Sequence, residues 1–262
     1  MMWKQPAWHI YQYIRYFLKA RYRKGHGIHS PLVYAFVKDI LEEKKPYYCF
    51  DSIENTRKNL RKSEDSIFVE DFGTGISCNK KIANIATNSL KNKRYAQLIF
   101  RIVAHYKPQN IIELGTSLGI TTSYIASANK TANIYSFEGA NEIANIAEKV
   151  FHQQQLTNIS LIVGDITSQL PLFLAQTSKI DMVFFDANHK KQPSLDYFNL
   201  CIKKASKTAI FIFDDIYWSK EMKSAWQEIC ADKRVRVSID LFSIGVVFLH
   251  PELKKKHYLI RH

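Results

Sequence analysis

Six acidic residues in the second half of the chain stand at the ends of short apolar runs. Glu113 closes the run 111–114, Glu138 the run 133–138, Asp186 the run 180–186, and Asp214 with Asp215 the run 208–214. Asp165 follows the run 159–163 across Gly164. In open α/β sheets, ligands bind beyond the carboxyl ends of the strands, where strand order reverses. Gathering carboxylates at such a rim is costly unless a ligand uses them, because like charges resist crowding. An Asp there can also cap the following helix, which accounts for any one of them but poorly for the series.

Glycine is scarce, nine in 262 residues, so a local pair of glycines carries information. The first acid opens Glu113-Leu114-Gly115-Thr116-Ser117-Leu118-Gly119-Ile120-Thr121-Thr122, a strand running into a helix. Gly115 lets backbone approach a ligand, and Gly119 permits close packing where the helix begins. A dinucleotide needs the denser GxGxxG, whose second glycine admits the pyrophosphate. That glycine is absent here, so a nucleoside ligand without pyrophosphate fits better. Glu138 is placed to hold its ribose hydroxyls.

Elements that position these residues follow from the rhythm of the chain. Apolar β-rich runs at 111–114, 133–138, 159–163, 180–186 and 208–214 alternate with helical segments at 119–128, 140–155, 167–176 and 193–204. This alternation predicts βαβ units and a parallel sheet. A helix at 218–231 and two strands at 234–240 and 243–249 follow, joined too tightly for anything but an antiparallel hairpin. The expected fold is α/β: a Rossmann-like, doubly wound, mostly parallel seven-stranded sheet ending in an antiparallel hairpin. Ahead of it, the pattern predicts a helix at 7–23 and a second begun by Ser30-Pro31, where Ser caps and Pro takes the first helical position. It also predicts a polar loop at 44–66 and helix through 80–106. Residues 1–79 read as a basic helical extension and 80–262 as the main domain.

The segment 111–215 resembles class I S-adenosylmethionine-dependent methyltransferases, most of all the catechol and caffeoyl-CoA O-methyltransferase group. IIELGTSLGITTSYIA is similar to that group's first motif, YSFEG to its ribose-binding strand and GDITSQLP to its adenine-side loop. DMVFFDANHKKQPSLDYF and FDDIYW resemble its two metal-binding stretches. The resemblance implies a cofactor site of Glu113, Gly115, Thr116, Ser117, Gly119, Thr121, Glu138, Gly139, Asp165, Ile166 and Asp186. It implies Mg²⁺ held by Asp186, Asp214 and Asp215, although Asp215 stands where the family usually has Asn. His189 or Lys190, beside Asp186, would assist removal of the acceptor proton; His189 falls near the family's catalytic lysine position. The segment KKASKT before the fifth strand lacks the family's glycine pair.

The formal charge of +13 is uneven. Residues 1–110 hold 20 Lys/Arg against 9 Asp/Glu, and the remainder 17 against 15. A basic, aromatic front end fits a nucleic-acid backbone and unpaired bases, yet aromatics at helical spacing are more often core. A small-molecule acceptor methylated on oxygen is therefore the first expectation and RNA (tRNA) methylation the alternative. A non-catalytic cofactor- or RNA-binding protein is the second alternative. Four scattered cysteines without metal spacing, no membrane-length apolar run and no signal peptide point to a cytoplasmic protein with reduced thiols. The apolar front helices could form a homodimer contact. Two further motifs compete weakly. Asp71-Phe72-Gly73-Thr74-Gly75 imitates a nucleoside turn, but no acid-ended strand follows it. Lys24-Gly25-His26-Gly27-Ile28-His29 reads as a glycine hinge, since two histidines alone make no metal site.

Overall fold

A computed structural model describes residues 6–69 and 78–262; the 71–75 glycine turn lies outside the described residues. The chain divides into two compact units, one spanning Lys44–Gln176 and the other combining the stretch up to Glu43 with Thr177–His262.

The second unit begins with α1 (Pro6–Lys19). It stops short of the expected residue 23, and Tyr22 and Lys24 then take left-handed φ of 60° and 56°. Gln12 and Tyr16 are buried, and Tyr16 Oη donates to the Ile260 carbonyl. Ser30 caps α2 (Pro31–Ala35) by accepting the Val33 N–H, with Pro31 at the first helical position as expected. A π-helix over Phe36–Leu41 continues it and buries Phe36, Val37, Ile40 and Leu41.

The first unit corrects two expectations. Residues 44–66 are not a polar loop: they contain α3 (Phe50–Lys62), which buries Phe50, Ile53, Thr56 and Arg57. These residues fall one helical turn apart on a single stripe, while the abundant charges occupy the outer face and disguise it. Phe50 packs edge-on against Phe100 and Tyr124, with ring centroids 4.9 and 5.4 Å away. A hairpin of β1 (Ser66–Val69) and β2 (Cys78–Lys81) comes next. The expected helix 80–106 is two, α4 (Ile82–Asn88) and α5 (Lys93–Tyr106), because Asn92 caps a fresh start by accepting the Arg94 N–H.

Three parallel strands complete this unit, β3 (Asn110–Leu114), β4 (Asn133–Glu138) and β5 (Ile159–Val163). They alternate with α6 (Ile120–Ala128), α7 (Asn141–Gln153) and α8 (Ile166–Gln176). The register sets Glu113 opposite Ser136 and Glu138 opposite Val163, so the carboxyl ends align.

In the second unit, β6 (Ile180–Phe185) leads through α9 (Lys191–Ile202) to β7 (Ala205–Asp214), its parallel partner. After α10 (Lys220–Ala231), β8 (Val237–Asp240) and β9 (Ile244–Phe248) form the expected antiparallel hairpin, with β9 against β7. One strand was not anticipated: β10 (Lys256–Leu259) adds in parallel to β8, so that the described residues of this unit hold five strands where four of the expected seven were placed. Its sequence KHYL alternates too briefly to announce a strand. Gly245 gives Trp226 room, since a Cβ there would stand 2.6 Å from the indole ring. No helix among the described residues is long and apolar enough to cross a membrane.

Candidate cofactor and acceptor site

In the first unit the turn after β3 is pinned by its own backbone. Gly115, at φ 105°, and Thr116 both donate their N–H to the Phe137 carbonyl at 3.0 Å. Ser117 follows in the left-handed region at φ 49°. Gly119, at φ 77°, begins α6, where a Cβ would meet the Phe151 ring at 2.6 Å and the Ala147 backbone at 3.2 Å. Only glycine satisfies both the backbone and the packing at that position.

Glu138 ends β4 facing this turn. Its Oε2 accepts the Ser117 N–H at 2.8 Å and its Oε1 the Ala140 N–H at 3.1 Å. Burial pushes the Glu138 carboxyl up, against backbone N–H groups of Ala140, Ser117 and Gly139 that favour the carboxylate. Ser117 Oγ is buried without a hydrogen-bond partner. A buried hydroxyl left so is costly unless something else supplies a partner.

Glu113 does something different. It is fully buried, and its Oε2 accepts from Thr122 Oγ1 at 2.5 Å and Ser136 Oγ at 2.6 Å. Ser136 Oγ also lies 2.5 Å from Thr116 Oγ1. Thus Glu113 ties β3, β4 and α6 together beneath the turn. Thr121 is 7% exposed on the first turn of α6. Asp165 is occupied as a cap: its Oδ1 accepts the Thr167 N–H at 3.1 Å and its Oδ2 the Thr167 hydroxyl, starting α8 at Ile166. The capping alternative weighed for Asp165 is thus realised, at the rim where Ile166 opens α8.

The second unit holds the remaining expected residues. Asp186 follows β6, and its Oδ1 lies 3.7 Å from His189 Nε2, an ion pair only when the imidazole carries a proton. His189 is half-buried, with φ 26°, and Lys190 is exposed at the start of α9. The loop twists left-handed through Asn188, at φ 63°, whose Nδ2 donates to Tyr197 Oη at 2.7 Å. Asp214 is 2% exposed at the end of β7, and Asp215 turns left-handed at φ 51°. Neither caps α10, whose cap is Ser219, accepting the Met222 N–H at 3.1 Å.

Among the described residues, no group of three His, Cys, Asp or Glu side chains is placed to hold a metal ion. The expected Mg²⁺ set of Asp186, Asp214 and Asp215 finds no such arrangement.

Parallel strands with helices between them, a glycine turn at the first strand end and an antiparallel closing hairpin define a Rossmann-like α/β fold. Residues 112–216 match the family model described as a methyltransferase domain. An O-methyltransferase of Aspergillus flavus, imqG, is 30% identical over 114 residues, covering 41% of this chain and 45% of that protein. This chain thus spans under half the length of that relative. A catechol O-methyltransferase of Niastella koreensis is 23% identical over 64% of this chain and 73% of its own. The crystal structure of an O-methyltransferase from Bacillus cereus in complex with SAH superimposes with a TM-score of 0.57 at 17% identity. That superposition covers 83% of this chain and 97% of the other.

Proposed function

We propose that the protein transfers the methyl group of S-adenosylmethionine to an oxygen of a small-molecule acceptor. The observation that carries this reading is the Gly115–Gly119 turn locked to Glu138 through the Ser117 N–H. The buried Ser117 hydroxyl, the half-buried carboxylate and the glycine backbone suit a nucleoside with an amino-acid tail. In this reading Gly115, Thr116 and Ser117 receive the methionine part, Glu138 and Gly139 the ribose, and Asp165 with Ile166 the adenine side. Gly119, Thr121 and Glu113 hold the turn in shape. The sulfonium supplies an already activated methyl group, so the protein's task is chiefly to orient the acceptor oxygen in line with it. His189, oriented by Asp186, accepts the acceptor proton; half-buried, it suits general-base work better than the exposed Lys190.

RNA as acceptor is the second reading, favoured by one observation: α1 exposes Arg15 and Lys19 beside Tyr11 and Tyr13. The basic segment 1–79 would then serve as the acceptor-facing cap in either case. The test is turnover of labelled S-adenosylmethionine against a metabolite extract and, separately, total RNA. Label in the metabolite fraction that is lost in Glu138→Ala supports the first reading, and label in RNA supports the second. No transfer to either, with S-adenosylhomocysteine still bound, would make this a non-catalytic binder.

A further inference from the structure

One cleft of about 150 Å³ lies wholly inside the second unit, lined by Gln12, Arg15, Lys19, Tyr217, Lys223 and Gln227 among others. Gln12, Arg15 and Lys19 recur at helical spacing along one face of α1, and Lys223 and Gln227 are one turn apart on α10. Two helices thus aim three cations into one small space. Lys223 Nζ is held there, donating to the buried Gln12 Oε1 at 2.7 Å and lying 5.6 Å from the Tyr217 ring centroid. Burial and the charges of Arg15 and Lys19 depress the Lys223 ammonium, and Asp240 only partly opposes them. Among the described residues neither Arg15 nor Lys19 forms an ion pair. Asp240 itself is engaged by Tyr217 Oη at 2.9 Å and the Phe242 N–H at 2.9 Å.

Like charges converging on a cleft repel one another until an anion enters. A guanidinium, two ammonium groups and the Gln227 amide form a donor set suited to tetrahedral phosphoryl oxygens. We propose that this cleft binds a phosphoryl group, a site distinct from the cofactor turn and independent of the small-molecule methyl-transfer reading. The group could be the monoester of a small phosphorylated molecule or a phosphate of a nucleic-acid backbone.

Calorimetric titration of the full chain with inorganic phosphate tests the proposal. Saturable binding is expected, weakened at least tenfold in Arg15→Gln and in Lys223→Gln, and unchanged in Lys38→Gln, which removes a surface cation paired with Glu42 elsewhere. Arg15 is exposed, so its variant remains decisive even if Lys223→Gln fails to fold. Glycerol phosphate and an oligonucleotide lacking terminal phosphates separate the two sources. Tighter binding of the monoester identifies a small molecule, whereas tighter binding of the oligonucleotide, falling steeply with salt, identifies a backbone. Absence of saturable phosphate binding, no weakening in Arg15→Gln, or equal weakening in Lys38→Gln overturns the proposal. None of these readouts involves methyl transfer, so the two readings fail separately.

Discussion

The Ser117 N–H donates to Glu138 Oε2 at 2.8 Å, joining the turn after β3 to the acid that ends β4. Because Glu138 Oε1 also accepts the Ala140 N–H, the carboxylate is fixed by two loops before any ligand arrives. Its orientation is therefore a property of the fold, and the ordering cost on binding is correspondingly small. Beneath it Glu113 performs a parallel task with side-chain hydroxyls rather than a ligand. Two acids of one series thus divide between holding the turn and facing outward from it.

Removing the outward carboxylate should cost binding more than stability. Glu138→Ala is expected to weaken S-adenosylhomocysteine binding by tenfold or more, about 1.4 kcal/mol per factor of ten. Glu138→Gln, which can still accept one backbone N–H, should lose less. Calorimetry on both variants checks this, and unchanged affinity in Glu138→Ala would remove Glu138 from the ribose role.

Gly119 should tolerate no side chain. At φ 77° an added Cβ both strains the backbone and stands 2.6 Å from the Phe151 ring. Left-handed strain of about 1–2 kcal/mol and overpacking of about 1–3 kcal/mol together predict a loss of roughly 2–5 kcal/mol for Gly119→Ala. Urea unfolding measures it. Shortening the neighbour in Gly119→Ala/Phe151→Leu should restore part of the loss, and no restoration would assign the whole cost to the backbone.

What the sequence revealed follows a physical division. The strands β3 to β7 and the helices between them were readable because short β-rich, mainly apolar runs alternate with segments each long enough for one helix. The helix α3 was hidden because its buried stripe is only Phe50, Ile53, Thr56 and Arg57, and two of these are polar types. Its partners, Phe100 and Tyr124, come from distant elements, so tertiary packing rather than local pattern decides it. At the site, residue types announced the Gly115 and Gly119 turn and Glu138, whose roles depend on backbone geometry. Side-chain partnerships were only partly announced: capping of its own helix was an open alternative for Asp165, but nothing in the order of residues says that Glu113 faces Ser136. The Arg15, Lys19 and Lys223 cleft was equally invisible, since it needs α1 and α10 side by side.

His189 and Lys190 are adjacent in sequence but should differ in effect. His189 is half-buried with Nε2 3.7 Å from Asp186, whereas Lys190 is exposed. Loss of a positioned base typically lowers the rate about 10²–10⁴-fold. His189→Ala should therefore lower kcat by about two orders of magnitude with S-adenosylhomocysteine affinity retained, and Lys190→Ala should change kcat less than tenfold. Comparable rates for both variants would sink the assignment of His189 as base.

Asp240 should impose its own pH dependence on stability. Burial raises its carboxyl from the ordinary 3.8 to about 6, despite hydrogen bonds from the Phe242 N–H, Tyr217 and Trp226 and the charge of Lys223. Between these two values the native protein keeps a proton that the unfolded chain has lost. The contribution of Asp240 to stability is therefore greatest below pH 4, falls as pH rises toward 6, and is constant above about 7. A shift of roughly two units corresponds to about 3 kcal/mol. Asp240→Asn removes this titration while leaving an oxygen for the Phe242 N–H. The unfolding free energy of the native sequence minus that of Asp240→Asn should thus decrease by about 2 kcal/mol between pH 4 and pH 7. Urea unfolding at pH 4, 5, 6 and 7 measures the difference, in which all other titrating groups cancel to first order. A difference that stays flat, or that grows with pH, would mean that the carboxylate is as well accommodated in the fold as in water.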